Sequence, residues 1–294
     1  MGVAELVYPA VVPRRRGVRA IARRLARDRR AAVGVVLLAV AAATALAAPW
    51  VAPYDPALQT ADILVGPGRT HLLGTDDLGR DLLSRIIFGG RVSLMVGLVT
   101  VALAAAGGSL LGLVAGYYGR WVDTLVMRYI DLQWAFPNFI IAVGLVAIFG
   151  TGLANVIVAI TLAFVDDFAR IARAMVLAIR NEEYVAAARA LGASDRRVIF
   201  RHILPNAGAP IIVQGTVSIS YAILGEAGLS FLGLGVKPTT PTWGLILNDA
   251  RPFFLSAWWL GVFPGLAIML VVLSINFVGD ALRDLLDVRE YVGR

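Results

Sequence analysis

Long uncharged runs alternate with short arginine-rich or turn-rich segments along most of the chain. A helix needs about 20 apolar residues to cross the roughly 30 Å hydrocarbon layer of a membrane. Runs of about that length begin near Ala31, Val92, Val122, Leu153, Asn206 and Phe253, and they end near Val51, Ala115, Phe149, Ile179, Gly225 and Val278. The pattern predicts an all-α, polytopic membrane protein with six transmembrane helices.

Two of the segments between these spans are long and rich in turn residues. Residues 53–91 contain several prolines and glycines and predict an extracytoplasmic loop. At its end, Asp76 to Arg91 has apolar residues at helical spacing, which predicts a short amphipathic helix at the membrane surface. Residues 226–256 predict a second external loop. Within the third span, Pro137 predicts a kink.

The placement of the arginines predicts the orientation. They concentrate in the N-terminal segment, between the fourth and fifth spans, and in the C-terminal tail. Six spans put all three regions on one side, which the positive-inside rule assigns to the cytoplasm. The predicted units are a cytoplasmic segment 1–30, a first helix 31–52, the loop 53–91, a core 92–281 and a cytoplasmic tail 282–294. A signal peptide cleaved near Ala45-Leu46-Ala47 is the competing interpretation of the first span.

Composition supports a membrane protein and disfavours other classes. Of 294 residues, 59% are hydrophobic and 16% charged, and the mean hydropathy is +0.76. A soluble domain of this length would carry more charge, so we expect lipid around the apolar surface. The net charge of +7 comes from arginines at the ends of apolar runs, and we therefore expect no nucleic acid partner.

The residue types that carry most catalytic and metal chemistry are scarce. The chain has no cysteine, and His71 and His202 lie far apart in the sequence. We therefore expect no metal site, no thiol nucleophile and no enzyme activity. His71 falls in the first external loop, where we expect a solvated side chain, with contact to a binding protein as the alternative.

Glycines and aromatic residues in the spans suggest packing roles. Gly108, Gly112 and Gly116 recur every four residues, which predicts a close helix–helix seam, with ordinary tolerance of glycine in membrane helices as the alternative. Aromatic residues cluster where the sixth span starts and predict an interfacial belt, with stacking on a solute as the alternative. These residues are Phe253, Phe254, Trp258 and Trp259.

Charged residues inside the spans are the candidate lining of a solute path. Asp166 and Asp167 lie near the middle of the fourth span, where a charge costs roughly 2.5–3.5 kcal/mol on insertion scales. Arg170 follows Asp166 by one turn, and Arg128 and Asp131 are three residues apart, so two structural ion pairs are predicted. The alternative hypothesis is that Asp166 or Asp167 lines the path and favours a cationic group, such as a peptide amine.

The segment between the fourth and fifth spans, residues 183–205, predicts an exposed bend. A run of alanines favours a helix, Gly192 ends it, and Ser194 or Asp195 can cap a second short helix. The result is a helix–glycine–helix unit with a surface of small side chains, which we call the elbow. Such a surface suits a groove on another protein.

The elbow resembles the EAA loop of bacterial ABC importer permeases, in which E-A-A, three residues, G, nine residues, I, one residue and L-P recur. The matching positions are Ala187, Ala188, Gly192, Leu204 and Pro205. Ala186 stands at the usual Glu position and His202 at the Ile position, so a salt bridge from the former is not expected. The resemblance implies contact with an ATPase through Tyr184, Ala187, Ala188, Gly192, Arg196, Leu204 and Pro205.

Further segments narrow the resemblance to the second permease of dipeptide and oligopeptide importers. They are His71 to Asp81, Ala135 to Pro137, Leu229 to Gly235, Pro241 to Gly244 and Asn276 to Asp284. The resemblance covers nearly the whole chain after residue 20. It implies the MetI-like fold of type I ABC importers and a position in the bacterial inner membrane.

The same resemblance implies the partners. They are a homologous second permease, two cytoplasmic ATPases that hold ATP and Mg²⁺, and an extracytoplasmic solute-binding protein. The chain lacks the G-x-x-x-x-G-K-[ST] phosphate loop, so we expect ATP on the partner chains. Dipeptides or oligopeptides are the implied solutes, and nickel chelates, glutathione or another small solute remain open. A stand-alone secondary transporter or channel is the alternative of another class.

Overall fold

Helices dominate the part of the chain that the structure, a computed structural model, describes: residues 28–237 and 239–286. The helices are α1 (Arg29–Leu46), α2 (Ala48–Val51), α3 (Leu82–Tyr118), α4 (Arg120–Trp134), α5 (Asn138–Phe149), α6 (Leu153–Ile179), α7 (Glu183–Ala190), α8 (Asp195–Arg197), α9 (Leu204–Phe231), α10 (Trp243–Ala250) and α11 (Trp259–Leu286). A π-helical stretch, Val198–Ile203, joins α8 to α9, and a 3₁₀ turn, Arg251–Phe253, follows α10. The basic stretch up to residue 27 and the tail residues 287–294 lie outside the described residues.

Four helical segments of the described chain are long and apolar enough to cross a membrane: α1, α3, the continuous Asp195–Phe231 and α11. The pair α4 and α5 counts as a fifth crossing if its two bent halves form one span. Helix α6 has 27 residues but carries four charged side chains, which lower its apolar character. Asp28 and Arg30 line a cavity together with Asp280 and Arg283, so the start of α1 lies beside the end of α11. The chain between these two points therefore crosses the membrane an even number of times, and six crossings are compatible with this.

Three boundaries differ from the sequence prediction. The separate amphipathic helix predicted for Asp76 to Arg91 is wrong, because α3 runs unbroken from Leu82, with no proline to interrupt it. The kink predicted at Pro137 is a break of 94° between α4 and α5, since proline lacks the N–H that would continue the helix. The second external loop is largely helical, because α9 extends to Phe231 and α10 follows.

The predicted glycine seam lies between α3 and α6. A Cβ on Gly112 would come within 2.1 Å of the Ala169 carbonyl oxygen, and one on Gly108 within 2.3 Å of the Val165 oxygen. A Cβ on Gly116 would meet the side chain of Val176 at 2.8 Å. The three glycines therefore let two helix backbones approach more closely than alanines would allow.

The end of the bundle where α3 begins is covered by residues 53–81, 232–237 and 239–258, which we call the cap. Arg85 of α3 is 1% exposed and contacts two carboxylates of the cap, those of Asp76 and Asp249. Asp76 also accepts a hydrogen bond from Nε of Arg80 at 2.7 Å. This network fastens the first loop and α10 to α3.

His71 belongs to the same cap, and its predicted solvated position is wrong. It is 5% exposed, and its Nδ1 lies 2.9 Å from a carboxylate oxygen of Asp81. The other oxygen of Asp81 accepts from the backbone N–H of Ser84 at 2.8 Å and so caps α3. Of the predicted aromatic belt, Trp258 is exposed, whereas Trp259 is buried and donates from Nε1 to the Thr75 carbonyl at 3.2 Å.

Candidate functional site

The elbow is a short helix ended by a left-handed glycine. In α7 the alanines continue the helix to Ala190, and Gly192 then adopts φ +81°. The Ala193 N–H donates to the Ala188 carbonyl at 3.0 Å and the Gly192 N–H to the Arg189 carbonyl at 2.9 Å. This pair of bonds is the Schellman motif, which requires the left-handed conformation at Gly192.

The inner face of the elbow is anchored by apolar side chains. Val185, Val198, Ile199 and Ile203 are buried in one cluster with residues from the ends of α3 and α6. The helical residues of that cluster are Leu113, Ala172, Val176 and Ile179. The anchor therefore ties the elbow to two long helices besides α9, with which it is continuous.

The outer face of the elbow is open to solvent. Ala187, Gly192 and Arg196 are exposed, and Ala188 and Leu204 are partly buried. Leu191 is 89% exposed, although it lies between the buried anchor residues in sequence. Sequence reasoning missed Leu191, and its position directly before the glycine that ends the helix was the available signal.

Polar contacts connect the elbow to α3 and α9. The Tyr117 hydroxyl donates to Asp195 at 2.7 Å, and the Arg189 guanidinium lies 5.0 Å from the centre of the Tyr117 ring. Asp195 is thus occupied by Tyr117, and Ser194, at the N-cap position, makes no side-chain capping bond. The predicted side-chain cap of the second short helix is therefore wrong.

Tyr184 connects the elbow to the first turn of α9. Its hydroxyl accepts a hydrogen bond from the Asn206 amide at 3.3 Å, next to Pro205 in the first turn of α9. Partial burial, together with the nearby carboxylate of Glu182, raises the pKa of Tyr184.

Neither of the two ion pairs predicted within single helices forms a direct salt bridge in the described chain. Arg170 of α6 donates to Asp131 of α4 at 2.6 Å, and Arg128 is exposed and pairs with no carboxylate of the described chain. Arg173 similarly holds Asp123 with two bonds of 2.5 and 2.7 Å. The arginines reach across to α4 because it packs beside α6, which spacing along one helix could not reveal.

The adjacent carboxylates of α6 have different surroundings. Asp166 is fully buried and accepts one bond, from the Gln133 amide at 3.3 Å. Asp167 is partly exposed and accepts from the Gln214 amide at 3.4 Å. One residue along a helix turns the side chain by about 100°, so the two carboxylates point in different directions.

Asp167 lines a cavity of about 380 Å³ between α5, α6 and α9. The lining residues are Asn138, Phe139, Ala142, Ile160, Phe164, Asp167, Gln214, Tyr221, Leu224 and Gly225. Of the four charged residues suggested for a solute path, Asp167 is in this lining, and Asp166, Arg128 and Asp131 are not. Whether the cavity is part of a path remains a prediction.

A further buried carboxylate, Glu226 of α9, escaped sequence reasoning. It is fully buried and accepts bonds from the hydroxyls of Ser93 at 2.9 Å and Ser230 at 2.7 Å. The acidic residue near the end of an apolar run was the available signal. Its bonds join α3 to α9 close to the cap.

Comparison with known families places these features in context. Residues 108–290, more than half of the chain, match the family described as binding-protein-dependent transport system inner membrane component. The chain belongs to this family. Residues 18–67 of the permease also match the N-terminal TM domain of oligopeptide transport permease C. The family match makes the chain a multi-pass membrane protein and the transport subunit of an ABC importer, a class that works with a partner permease, ATPases and a binding protein.

Curated relatives resemble the permease over nearly its full length. It is 44% identical to the dipeptide transport system permease protein DppC of Alkalihalophilus pseudofirmus, over 95% of this chain and 91% of the relative. It is 48% identical to the di/tripeptide transport system permease protein DppC of Pseudomonas aeruginosa, over 86% of both chains. Identity to DppC of Escherichia coli is 46%, over 89% of both.

A solved structure shares the fold. A chain of the MetNI methionine ABC transporter, in an inward-facing crystal form, superposes with a TM-score of 0.56 at 19% sequence identity. The match covers 69% of this permease and 96% of that chain. The predicted MetI-like fold is therefore confirmed.

Proposed function

We propose that this permease forms half of the translocation pore of an ABC importer for dipeptides or similar short peptides. The names of the relatives support the solute class, since three of them transport dipeptides or tripeptides. The second half of the pore is a homologous permease. Two ATPases supply the energy with ATP and Mg²⁺, and a solute-binding protein delivers the peptide.

The observation that carries the proposal is the two-sided elbow. Its inner face is buried on α3 and α6, and its outer face presents Leu191 and small side chains to solvent. A segment that is packed on the membrane helices on one side and exposed to solvent on the other can bind an ATPase and transmit its movement to those helices. The ATPase contact is therefore assigned to residues 183–205.

A rigid-body mechanism follows from the same contacts. When ATP closes the ATPase pair, the elbow moves with it, and α9 moves because the helix is continuous from Asp195 to Phe231. The apolar anchor moves α6, and the Tyr117–Asp195 bond moves the end of α3. Rocking of packed helices about a fixed site is the usual way in which such transporters alternate access.

The orientation of the permease follows from this role. The elbow faces the cytoplasm of a bacterium and the cap faces the binding protein across the inner membrane. The arginines of the elbow support this direction, because positive residues favour the cytoplasmic side. Arg180, Arg189, Arg196, Arg197 and Arg201 all lie at this end.

Cross-linking tests the ATPase contact directly. The chain has no cysteine, so Leu191→Cys places a single thiol on the elbow. In membranes that contain the assembled transporter, we expect a short bifunctional thiol reagent to join Leu191→Cys to an ATPase subunit carrying cysteines on its permease-facing groove. The yield should change when ATP is added, because ATP closes the ATPase pair.

Leu72→Cys is the matched control, since Leu72 is 60% exposed but lies in the cap. It should capture no ATPase. A transporter that takes up labelled dialanine while Leu191→Cys never captures its ATPase would refute the elbow assignment. Uptake that continues after the ATPase is inactivated would instead support a stand-alone transporter.

A further inference from the structure

The lining of the cavity between α5, α6 and α9 is mostly apolar and contains a single carboxylate. Its residues from α6 are Ile160, Phe164 and Asp167, which recur on one helix face at spacings of four and three. Asp167 is the one acidic or basic side chain in the lining. Pockets with apolar walls and a few convergent polar groups are typical of small-ligand sites.

The cationic side chains near Asp167 are engaged elsewhere. Arg170, one turn along α6, donates to Asp131 at 2.6 Å and lies 4.2 Å from the centre of the Trp134 ring. Arg173 is held by both carboxylate oxygens of Asp123. No arginine of the described chain therefore lies within salt-bridge distance of Asp167, and Arg170 attracts its charge only from farther away.

The hydrogen bonding of Asp167 is also incomplete. Its side-chain partners among the described residues are the Gln214 amide at 3.4 Å, which is long for an N–H···O bond, and the Trp134 side chain. A carboxylate has about four acceptor positions, so these two contacts leave positions for a bound group in the cavity that Asp167 lines. The neighbouring polar groups of Asn138, Gln214 and Tyr221 can donate or accept beside a bound group.

We propose that Asp167 is a binding subsite for a primary ammonium group, and that the group it receives is the α-amine of a peptide in transit. This inference rests on the proposed peptide-import function for the identity of the solute. The carboxylate attracts the ammonium, and the apolar walls strengthen the attraction because they lower the local dielectric constant. A partly exposed carboxylate holds the amine weakly enough for release.

Charge-selective alkylation tests the subsite without any transport assay. Leu224→Cys places the single thiol of the chain in the cavity lining. Its reaction rates are measured in the assembled transporter with a trimethylammonium and a sulfonate methanethiosulfonate reagent. We expect Asp167→Asn to lower the cation-to-anion rate ratio about fivefold, the scale of one charge acting at short range in a partly polar site.

Asp166→Asn is the matched control, since it removes the same charge one residue away from a side chain outside the cavity. It should leave the rate ratio unchanged, and Asp167→Glu should retain the ratio. The subsite is overturned if Asp166→Asn and Asp167→Asn act equally. It is also overturned if Leu224→Cys reacts with neither reagent, because the second permease then fills the cavity.

Protection from alkylation tests the peptide amine. Excess dialanine should slow alkylation of Leu224→Cys, and Asp167→Asn should weaken this protection about fivefold. N-acetyl-dialanine should protect equally in both backgrounds, and a loss of protection common to both peptides would contradict an amine site. A transporter that shows the charge effect but takes up no dipeptide would refute the proposed function and leave the cation subsite standing.

Discussion

The cap and the elbow lie at opposite ends of the same helices. The residues of their sequence motifs are buried at the cap but largely exposed in the elbow. Where the cap meets α3, Arg85 and Asp76 are turned inward and buried, and they join the loop to α10 through Asp249. In the elbow, valines and isoleucines are turned inward, while Leu191 and Arg196 are turned outward. Both segments carry conspicuous sequence motifs, but only one of the motifs forms an open surface.

This difference separates two uses of a motif. Buried ions are costly to desolvate and are stable only when each is paired with an opposite charge. The charged residues of the cap motif therefore serve to stabilise the fold of the permease itself. The elbow is held by apolar contacts, which leave its polar and small residues available. The permease thus has a cap stabilised by its own buried ion pairs and an elbow whose exposed surface is available for contact with another protein.

Breaking the cap network should have the largest effect. Arg85→Met keeps the length of the side chain but removes the charge that bridges Asp76 and Asp249. Loss of one partner from a buried pair costs about 3 kcal/mol, the lower end of the usual range because Arg80 still contacts Asp76. We expect the melting temperature in detergent to fall by roughly 6 °C or more, measured by size-exclusion fluorescence after heating.

Arg69→Met is the control for this change, because Arg69 is an exposed arginine of the same loop. It should melt with the unsubstituted protein. If Arg85→Met also melts unchanged, the cap does not depend on its buried ions and the contrast with the elbow is lost.

The seam between α3 and α6 should respond next, because it supports the anchor of the elbow. In Gly112→Ala the new Cβ would meet the Ala169 carbonyl at 2.1 Å, and backbone on both sides leaves no flexible atom to move. Overpacking of this kind costs about 2 kcal/mol. The same heating assay should show a clear loss of stability.

Gly107→Ala provides the comparison within the same helix, since a Cβ there has no neighbour within 4 Å. It should be neutral or slightly stabilising, because alanine favours the helix. Equal losses for Gly107→Ala and Gly112→Ala would mean that close packing against α6 is not the cause of the loss, because Gly107 has no neighbour there.

The helices were predictable from the sequence because their cause is local. Apolar runs longer than the membrane is thick, and glycines spaced by four, are properties of the chain itself. Even so, the ends of α3 and α9 were misplaced. Both helices continue beyond their apolar runs, since no proline stops α3 before Arg91 and a π-helical stretch carries α8 into α9.

The polar contacts were not predictable because their partners come from distant parts of the chain. Spacing suggested pairs within one helix, yet Arg170 reaches Asp131 on α4, 39 residues away. His71 was expected in solvent but is buried on Asp81, since the loop folds back on the start of α3. The difference between Asp166 and Asp167 likewise depends on which neighbouring helix each one faces.

The elbow itself should show the smallest loss of stability and the most selective loss of function. Gly192 has φ +81° but a Cβ there would meet no atom within 4 Å, so Gly192→Ala strains the backbone without a clash. A left-handed alanine costs roughly 1–2 kcal/mol, enough to distort the Schellman motif and move Leu191. We expect peptide-stimulated ATPase activity of the reconstituted transporter to fall about fivefold or more, while the melting temperature of the permease falls less than it does for Arg85→Met or Gly112→Ala.

Gly208→Ala distinguishes this effect from a general sensitivity to added methyl groups. Gly208 lies in α9, just beyond the elbow, and a Cβ there also has no neighbour within 4 Å, but its backbone is helical. Its ATPase activity should match that of the unsubstituted transporter. If the transporter with Gly192→Ala has the same peptide-stimulated ATPase activity as the transporter with Gly208→Ala, the left-handed turn is not needed to present the outer face. The apolar anchor alone would then hold the elbow in place.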